Sequence, residues 1–263
     1  MSDALTPEVL PEDKPLPFWD HIGELRDRLI RIVLSLFLGT SVTYLFRFRL
    51  WELAKRPLLT AVAAHAVPGA EAFSSPFAYT DLAEPFMAMM RLSFWAAVFL
   101  VSPYVFYQVW VFVKPALRER EKKNAGAFIA VTTASFLLGA LFAYFFMFGT
   151  LSGLLMDEAL KAGLRPNLRP TEYLNLFLYT VVGSGFAFET PVLFYFLARF
   201  GMVSSAAMLK YWREATIVIL FVAGFMTPGD VVATMIVFGV VLLILYFLSA
   251  FVVWLVERGG PRA

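Results

Sequence analysis

Three glutamates stand where the surrounding sequence argues against a negative charge. Glu24 lies just ahead of a long apolar run, Glu121 sits among the five bases of Lys114-Pro-Ala-Leu-Arg-Glu-Arg-Glu-Lys-Lys123, and Glu189 lies inside the apolar stretch from about Tyr173 to Phe200. Two carboxylates held a few ångströms apart at a wet boundary make a receptor for guanidinium groups, because each accepts a two-pronged hydrogen bond and arginine stays charged. A second reading fits the same spacing: Glu24 pairs with Arg28 one turn on and Glu121 with a neighbouring base, both on solvated surfaces. Glu189 is a different problem. It stands ten residues from Arg199, about 15 Å along a helix, so its carboxyl has to be protonated, paired with a polar group, or turned to a water-filled cavity.

Other chemistries find no support in the residue pattern. The only histidines are His21 and His65, there is no His-Glu-x-x-His, and no carboxylate group has metal spacing. No cysteine occurs, which excludes disulfides and thiolate metal sites. Gly183-Ser-Gly185 lacks the full nucleophile-elbow pattern and reads instead as small residues that let helices pack closely. Neither an enzyme, nor a cofactor, nor a metal site is expected. A net charge of +2 is too mild to argue for nucleic acid.

The elements that position these glutamates are membrane helices. Hydrophobic residues make up 60% of the chain and charged ones 16%, more apolar surface than a water-soluble core can hold. The expected fold is all-α and polytopic, with the lipid bilayer as solvent and six spans at about 29–46, 86–113, 126–148, 173–200, 208–226 and 231–256. Before the first span, Phe18, Ile22, Leu25, Leu29 and Ile32 form one helical stripe and Asp20, Glu24, Asp27 and Arg31 another, the pattern of a helix that lies on a membrane before entering it. Residues 1–17 read as a disordered acidic tail without a removable leader, 18–258 as the transmembrane domain, and 259–263 as a short tail.

Between spans, the proline-spaced segment Glu52 to Pro85 reads as small interfacial helices capping the outer face, and Gly149 to Thr171 as an outer loop. Arg91 is expected to reach outward to the headgroups, and Pro103 and Pro191 to bend their helices. The fifth span is short: Ala215 to Met226 rises only about 18 Å, so it either thins the bilayer locally or extends into Met208–Arg213. With the amino terminus inside, fourteen lysines and arginines fall on the inner side and seven on the outer, which favours both termini in the cytoplasm.

The segments His21-Ile-Gly-Glu-Leu-Arg-Asp-Arg-Leu29, Pro57-Leu58, Tyr107-Gln-Val-Trp-Val-Phe-Val-Lys-Pro-Ala-Leu117 with Glu121, Phe188-Glu-Thr-Pro191 and Thr227-Pro-Gly-Asp230 occur in an order that resembles the TatC family, the multispanning receptor subunit of the twin-arginine protein translocase. The likeness runs from about Phe18 to Glu257 and departs at Gly229, where a second proline often stands. It implies a concave helical arrangement in the bacterial cytoplasmic (inner) membrane. It also implies that Glu24 and Glu121 recognise the paired arginines of a folded cargo's signal peptide, with Arg26 and Phe112 beside them. Pro57, Pro191 and Asp230 match positions of structural weight, and Glu189 is expected to face a pocket that receives a polar residue of a single-span TatA/TatB-type subunit. Export driven by the proton-motive force, and self-association within the complex, follow from the same resemblance. Two other functions compete with this one. A secondary transporter of small solutes would show repeated halves and several polar residues at midplane, and this chain has neither. A membrane scaffold without receptor activity is separated from a receptor by signal-peptide binding alone.

Overall fold

The computed structural model describes residues 18–64, 77–114, 125–164, 167–226 and 232–259, and within them the chain is helical almost throughout. Helix α1 spans Phe18–Leu45 and α2 Arg47–Ala64; α3 spans Glu84–Val113. Helix α4, Ala125–Phe142, passes through one π-helical turn at Ala143–Met147 into α5, Phe148–Lys161. Then come α6 Pro170–Phe188, α7 Thr190–Arg199, α8 Ser205–Lys210, α9 Trp212–Met226 and α10 Val232–Gly259.

Among the described residues, five stretches are long and apolar enough to cross a membrane: Ile22–Leu45, Glu84–Val113, Ala125–Lys161, Pro170–Arg199 and Met235–Arg258. Their outward faces confirm the solvent they are built for, since Val33, Phe37, Leu38, Phe145, Phe146 and Ile244 are all more than 60% exposed. Exposed apolar side chains in such numbers are stable only against lipid. Helix α9 has 15 residues and rises about 22 Å, short of the roughly 30 Å hydrocarbon core. The expected fifth span is thus two pieces, α8 and α9, that meet at Tyr211.

Several boundaries differ from the sequence expectation. The helix of the third span does not end at Phe148; it continues to Lys161, with Leu151, Ser152 and Met156 buried and Asp157, Glu158 and Lys161 all exposed. Those charges decorate one face of a helix instead of marking a loop. It stops where Gly163 takes a left-handed φ of 71°, a conformation that favours glycine. The capping segment begins as one helix, α2, with Pro57 inside it, and not as several small pieces. The fourth span is interrupted at Glu189, with Pro191 in the first turn of α7, where a missing N–H costs nothing. Pro103 sits inside α3, whose helix continues on both sides of it. Arg91 donates to the side-chain oxygen of Asn175 on α6. The tail 1–17, the segment holding Glu121 and the turn holding Asp230 lie outside the described residues.

The main core gathers α2, α3, the π turn, α5 and α6 around Ala54, Leu58, Ala88, Leu92, Phe148, Leu174 and Phe177. Aromatic rings knit it: Trp51, Phe77 and Tyr173 meet at 4.9–6.3 Å, and Phe148 lies edge-on to Phe177 at 5.2 Å. Beyond this core, the Ala78 N–H donates to the Leu168 carbonyl at 3.0 Å and Arg169 pairs with the buried Glu84 at 3.2 Å, tying the entrances of α3 and α6 together. A second, smaller core at the other end joins α7, α8 and α10 through Phe194, Met208, Tyr246 and Val253.

Candidate functional site

Helices α1 and α3 run antiparallel in one register, and three contacts along them fix it. Arg28 Nη1 donates to Gln108 Oε1 at 3.2 Å, Gly39 lies against Ala97 and Val101, and Thr43 Oγ1 donates to the Ser93 carbonyl at 2.7 Å. As the α1 number rises from 28 to 39 to 43, its α3 partner falls in step from 108 to 97 to 93. A Cβ at position 39 would stand 2.9 Å from the Val101 side chain, so glycine is what lets the two backbones close. Continued four residues back, the same register puts Glu24 level with Phe112, one turn beyond Gln108 on α3.

Glu24 is held by Arg28. The guanidinium donates through Nε at 3.1 Å and through Nη2 to the same oxygen, while its other arm reaches Gln108. Arg28 and Glu24 are 14% and 26% exposed, and Gln108 is buried, so this chain of charge-assisted bonds is partly shielded from water. The local pairing considered from the spacing is therefore present, and it also serves as a tie between helices. Arg26, two residues from the pair and 75% exposed, points to solvent beside Asp27 at 3.3 Å. Phe112 is half-buried in the last turn of α3.

Glu189 is placed by the break between α6 and α7. Its N–H donates to the Phe186 carbonyl at 3.1 Å and its own carbonyl accepts from Leu193 at 2.9 Å, so the backbone is satisfied through the interruption. The side chain lies at the seam of α4 and α6, which approach closely. A Cβ at Gly139 would stand 2.6 Å from the Ser184 carbonyl oxygen, and one at Gly185 2.8 Å from the Phe136 ring. Gly185 thus has the packing role assigned to its small-residue run. Glu189 Oε1, at the break, and Ser184 Oγ and Thr133 Oγ1, from this pair of helices, are buried without a hydrogen-bond partner among the described residues. Rings of Phe136, Phe186, Phe142 and Phe188 surround the seam at 5.3–5.6 Å from one another in pairs. Polar atoms so placed are costly unless something satisfies them.

Pro57 has a local account that the sequence did not supply. Proline has no N–H for the carbonyl four residues back, here Leu53, and its ring crowds that carbonyl. The Tyr144 hydroxyl, delivered by the π turn, donates to Leu53 O at 3.0 Å, and the Tyr173 hydroxyl donates to the next carbonyl, Ala54 O, at 2.5 Å. Two tyrosines from two spans thereby grip the proline-containing helix. Gln108, Tyr144 and Tyr173 were not singled out from the sequence; Pro57 signalled that a carbonyl needed a donor, and nothing local could name it.

No group of three or more histidine, cysteine, aspartate or glutamate side chains among the described residues is arranged to hold a metal ion.

The chain was compared with known proteins. The family model described as "Sec-independent protein translocase protein (TatC)" matches residues 20–240. Proteins of that name from Koribacter versatilis, Desulforapulum autotrophicum and Aquifex aeolicus are 32%, 31% and 32% identical to it, covering 95%, 90% and 92% of this chain and 89%, 84% and 97% of theirs. A crystal structure titled as the twin arginine translocase receptor TatC superposes with a TM-score of 0.78 at 26% identity, over 90% of this chain and all of that one. A second, of the receptor in detergent, gives 0.74 at 27% identity, over 88% of this chain and 98% of that one. With most of its length matched by the family model, by relatives above 30% identity and by two folds of the same description, this chain belongs to the TatC family of Sec-independent protein translocase proteins.

Proposed function

We propose that this chain is the receptor core of a bacterial twin-arginine translocase, a component of protein transport and not an enzyme, and that it reads the paired arginines of a folded cargo's signal peptide. The observation that carries this is the placement of Glu24. A partly shielded carboxylate stands level with the aromatic Phe112, on a helix whose register against α3 is locked by Gln108, Gly39 and Thr43. Such a carboxylate is charged, oriented and within reach of the boundary, which is what a guanidinium requires. Glu121, nine residues past Phe112 in the sequence, supplies the second acceptor, and Arg26 flanks Glu24.

The topology that goes with this function has six spans with α9 as the short fifth, both termini in the cytoplasm, and the inner membrane as location. Single-span subunits of the TatA/TatB type dock where Glu189 stands, presenting a polar group to its carboxyl. Pro57 and Pro191 shape the cap and the bend of the fourth span, and Asp230 the last outer turn. Assembly with further copies and the proton-motive force then drives export.

The test is a photocrosslink between the purified, reconstituted chain and a twin-arginine peptide. Capture is expected from the intact chain and is expected to fall sharply in Glu24→Ala combined with Glu121→Ala. Normal capture by that double variant sinks the receptor assignment to these residues.

A further inference from the structure

Helices α3 and α6 start side by side, tied by the Ala78–Leu168 backbone bond and the Arg169–Glu84 pair, and run in the same direction. With Glu84 level with Arg169, the position level with Arg91 is Leu176, one residue past Asn175. Arg91 donates through Nη1 to the Asn175 side-chain oxygen, so its side chain lies across to α6 instead of extending to the helix ends. It is exposed, and stands about 10 Å along α3 from Glu84. The α1 register gives that depth a meaning. Arg47 falls level with Met89 and rests on the rings of Tyr44 and Phe48 at 4.6 and 4.5 Å, the mixture of bases and aromatics found at the headgroup layer.

A guanidinium has only donors, so Asn175 must turn its carbonyl oxygen to Arg91, and its amide N–H groups are left as further donors beside the cation. Among the described residues Arg91 makes no ion pair, and the acid at the start of its own helix, Glu84, is engaged by Arg169. Glu172 is exposed in the first turn of α6, three residues before Asn175 on the same face and about 4.5 Å nearer the water. One turn on in the other direction, Phe94 follows Arg91 and Tyr179 follows Asn175, both exposed. From the water inward the strip thus presents an acid, then a cation with an amide, then rings.

We propose that this strip binds a phosphatidylethanolamine of the leaflet at this end, with its ammonium at Glu172, its phosphate at Arg91 and Asn175, and an acyl chain along Phe94 and Tyr179. The ammonium and the phosphate of that headgroup are joined by a short ethylene link, a span suited to the single turn between Glu172 and Asn175. A primary ammonium donates hydrogen bonds to a carboxylate, which a quaternary choline cannot do, and a glycerol headgroup brings no cation at all. The phosphate suits the guanidinium by charge and geometry.

The full chain, reconstituted in nanodiscs of equal parts phosphatidylethanolamine, phosphatidylglycerol and phosphatidylcholine and then released into detergent, is weighed intact by native mass spectrometry. The unaltered protein is expected to retain phosphatidylethanolamine in preference to the other two. Arg91→Gln is expected to lower that retention about fivefold, the effect of one basic side chain at a membrane surface. Glu172→Lys alters an exposed turn, leaves the phosphate contacts in place and is expected to reverse the ranking in favour of phosphatidylglycerol. Arg258→Gln, at the opposite end, is expected to keep it. An unchanged ranking in Glu172→Lys overturns the proposal, as does equal retention by Arg91→Gln and the unaltered chain. Displacement of the lipid by millimolar inorganic phosphate alone assigns the site to a free anion and also overturns it. So does a photoreactive side chain in place of Tyr179 that captures a single-span polypeptide and no lipid.

Discussion

Arg28 binds Glu24 with one edge of its guanidinium and Gln108 with the other, so the carboxylate assigned to cargo recognition is also part of the joint between α1 and α3. A cargo arginine bound at Glu24 as proposed would meet an oxygen already engaged by Arg28. It must use the remaining lone pairs or share the acceptor, which an ionised carboxylate with several acceptor sites permits.

Removing the carboxylate has a cost that can be read in binding. Glu24→Ala is expected to weaken a twin-arginine peptide by about 1.5–3 kcal/mol, roughly ten- to a hundredfold, the range of a hydrogen bond to a charged group. Equilibrium binding of a fluorescent peptide to the reconstituted chain measures it. The same peptide with both arginines changed to lysine is expected to bind the unaltered chain more weakly, since a point charge cannot form the fork.

The joint itself is testable without cargo. Gln108→Leu leaves the shape of a buried side chain nearly unchanged but removes the acceptor of Arg28, at a cost of about 1–3 kcal/mol for an unsatisfied partly buried donor. A lowered melting temperature of the detergent-solubilised protein is the readout. Arg26→Gln, whose side chain points to solvent, is expected to leave that temperature unchanged.

The grip on the capping helix predicts a coupling. Tyr144→Phe removes the donor to Leu53 O and is expected to destabilise the fold by about 1 kcal/mol. In a Pro57→Ala background the restored N–H can satisfy Leu53 from within α2, so the same tyrosine substitution is expected to cost less. Unfolding of the four proteins as a double-mutant cycle isolates the term, and strict additivity would show that the hydroxyl and the proline act separately.

Around Glu189 the prediction separates polarity from packing. Glu189→Gln is expected to keep crosslinking to single-span subunits largely intact and Glu189→Leu to lose it, because an amide still offers a polar contact where a leucine does not. Gly139→Ala drives a methyl into the Ser184 carbonyl and the Phe188 ring, and is expected to cost about 1–3 kcal/mol by overpacking with the carboxyl untouched. Equal crosslinking by Gln and Leu variants would remove the polar contact from the account.

How far the sequence could be read depended on whether a feature was local. Hydropathy alone located the five long apolar helices of the described residues, and the four-residue step from Glu24 to Arg28 foretold their pairing. Gln108 escaped because its partner lies eighty residues away and only the α1–α3 register brings them together. The run after Phe148 was misread as a loop because Asp157, Glu158 and Lys161 look like an aqueous segment when counted, yet their spacing puts them on one exposed face, with Lys161 3.5 Å from Glu158. Tyr144 is likewise legible only once α2 and the π turn are placed side by side.

The locked pairing of α1 with α3 behaves as a gear. Everything between Gly39 and the amino-terminal acid is a rigid rod of about four turns, so one extra residue inserted there swings Glu24 by about 100° around the rod while every side chain keeps its identity. Its carboxylate then faces away from Gln108 and Phe112 altogether. The spacing between the glycine and the glutamate, counted in whole residues, is thus as much a part of the proposed reading head as the glutamate itself.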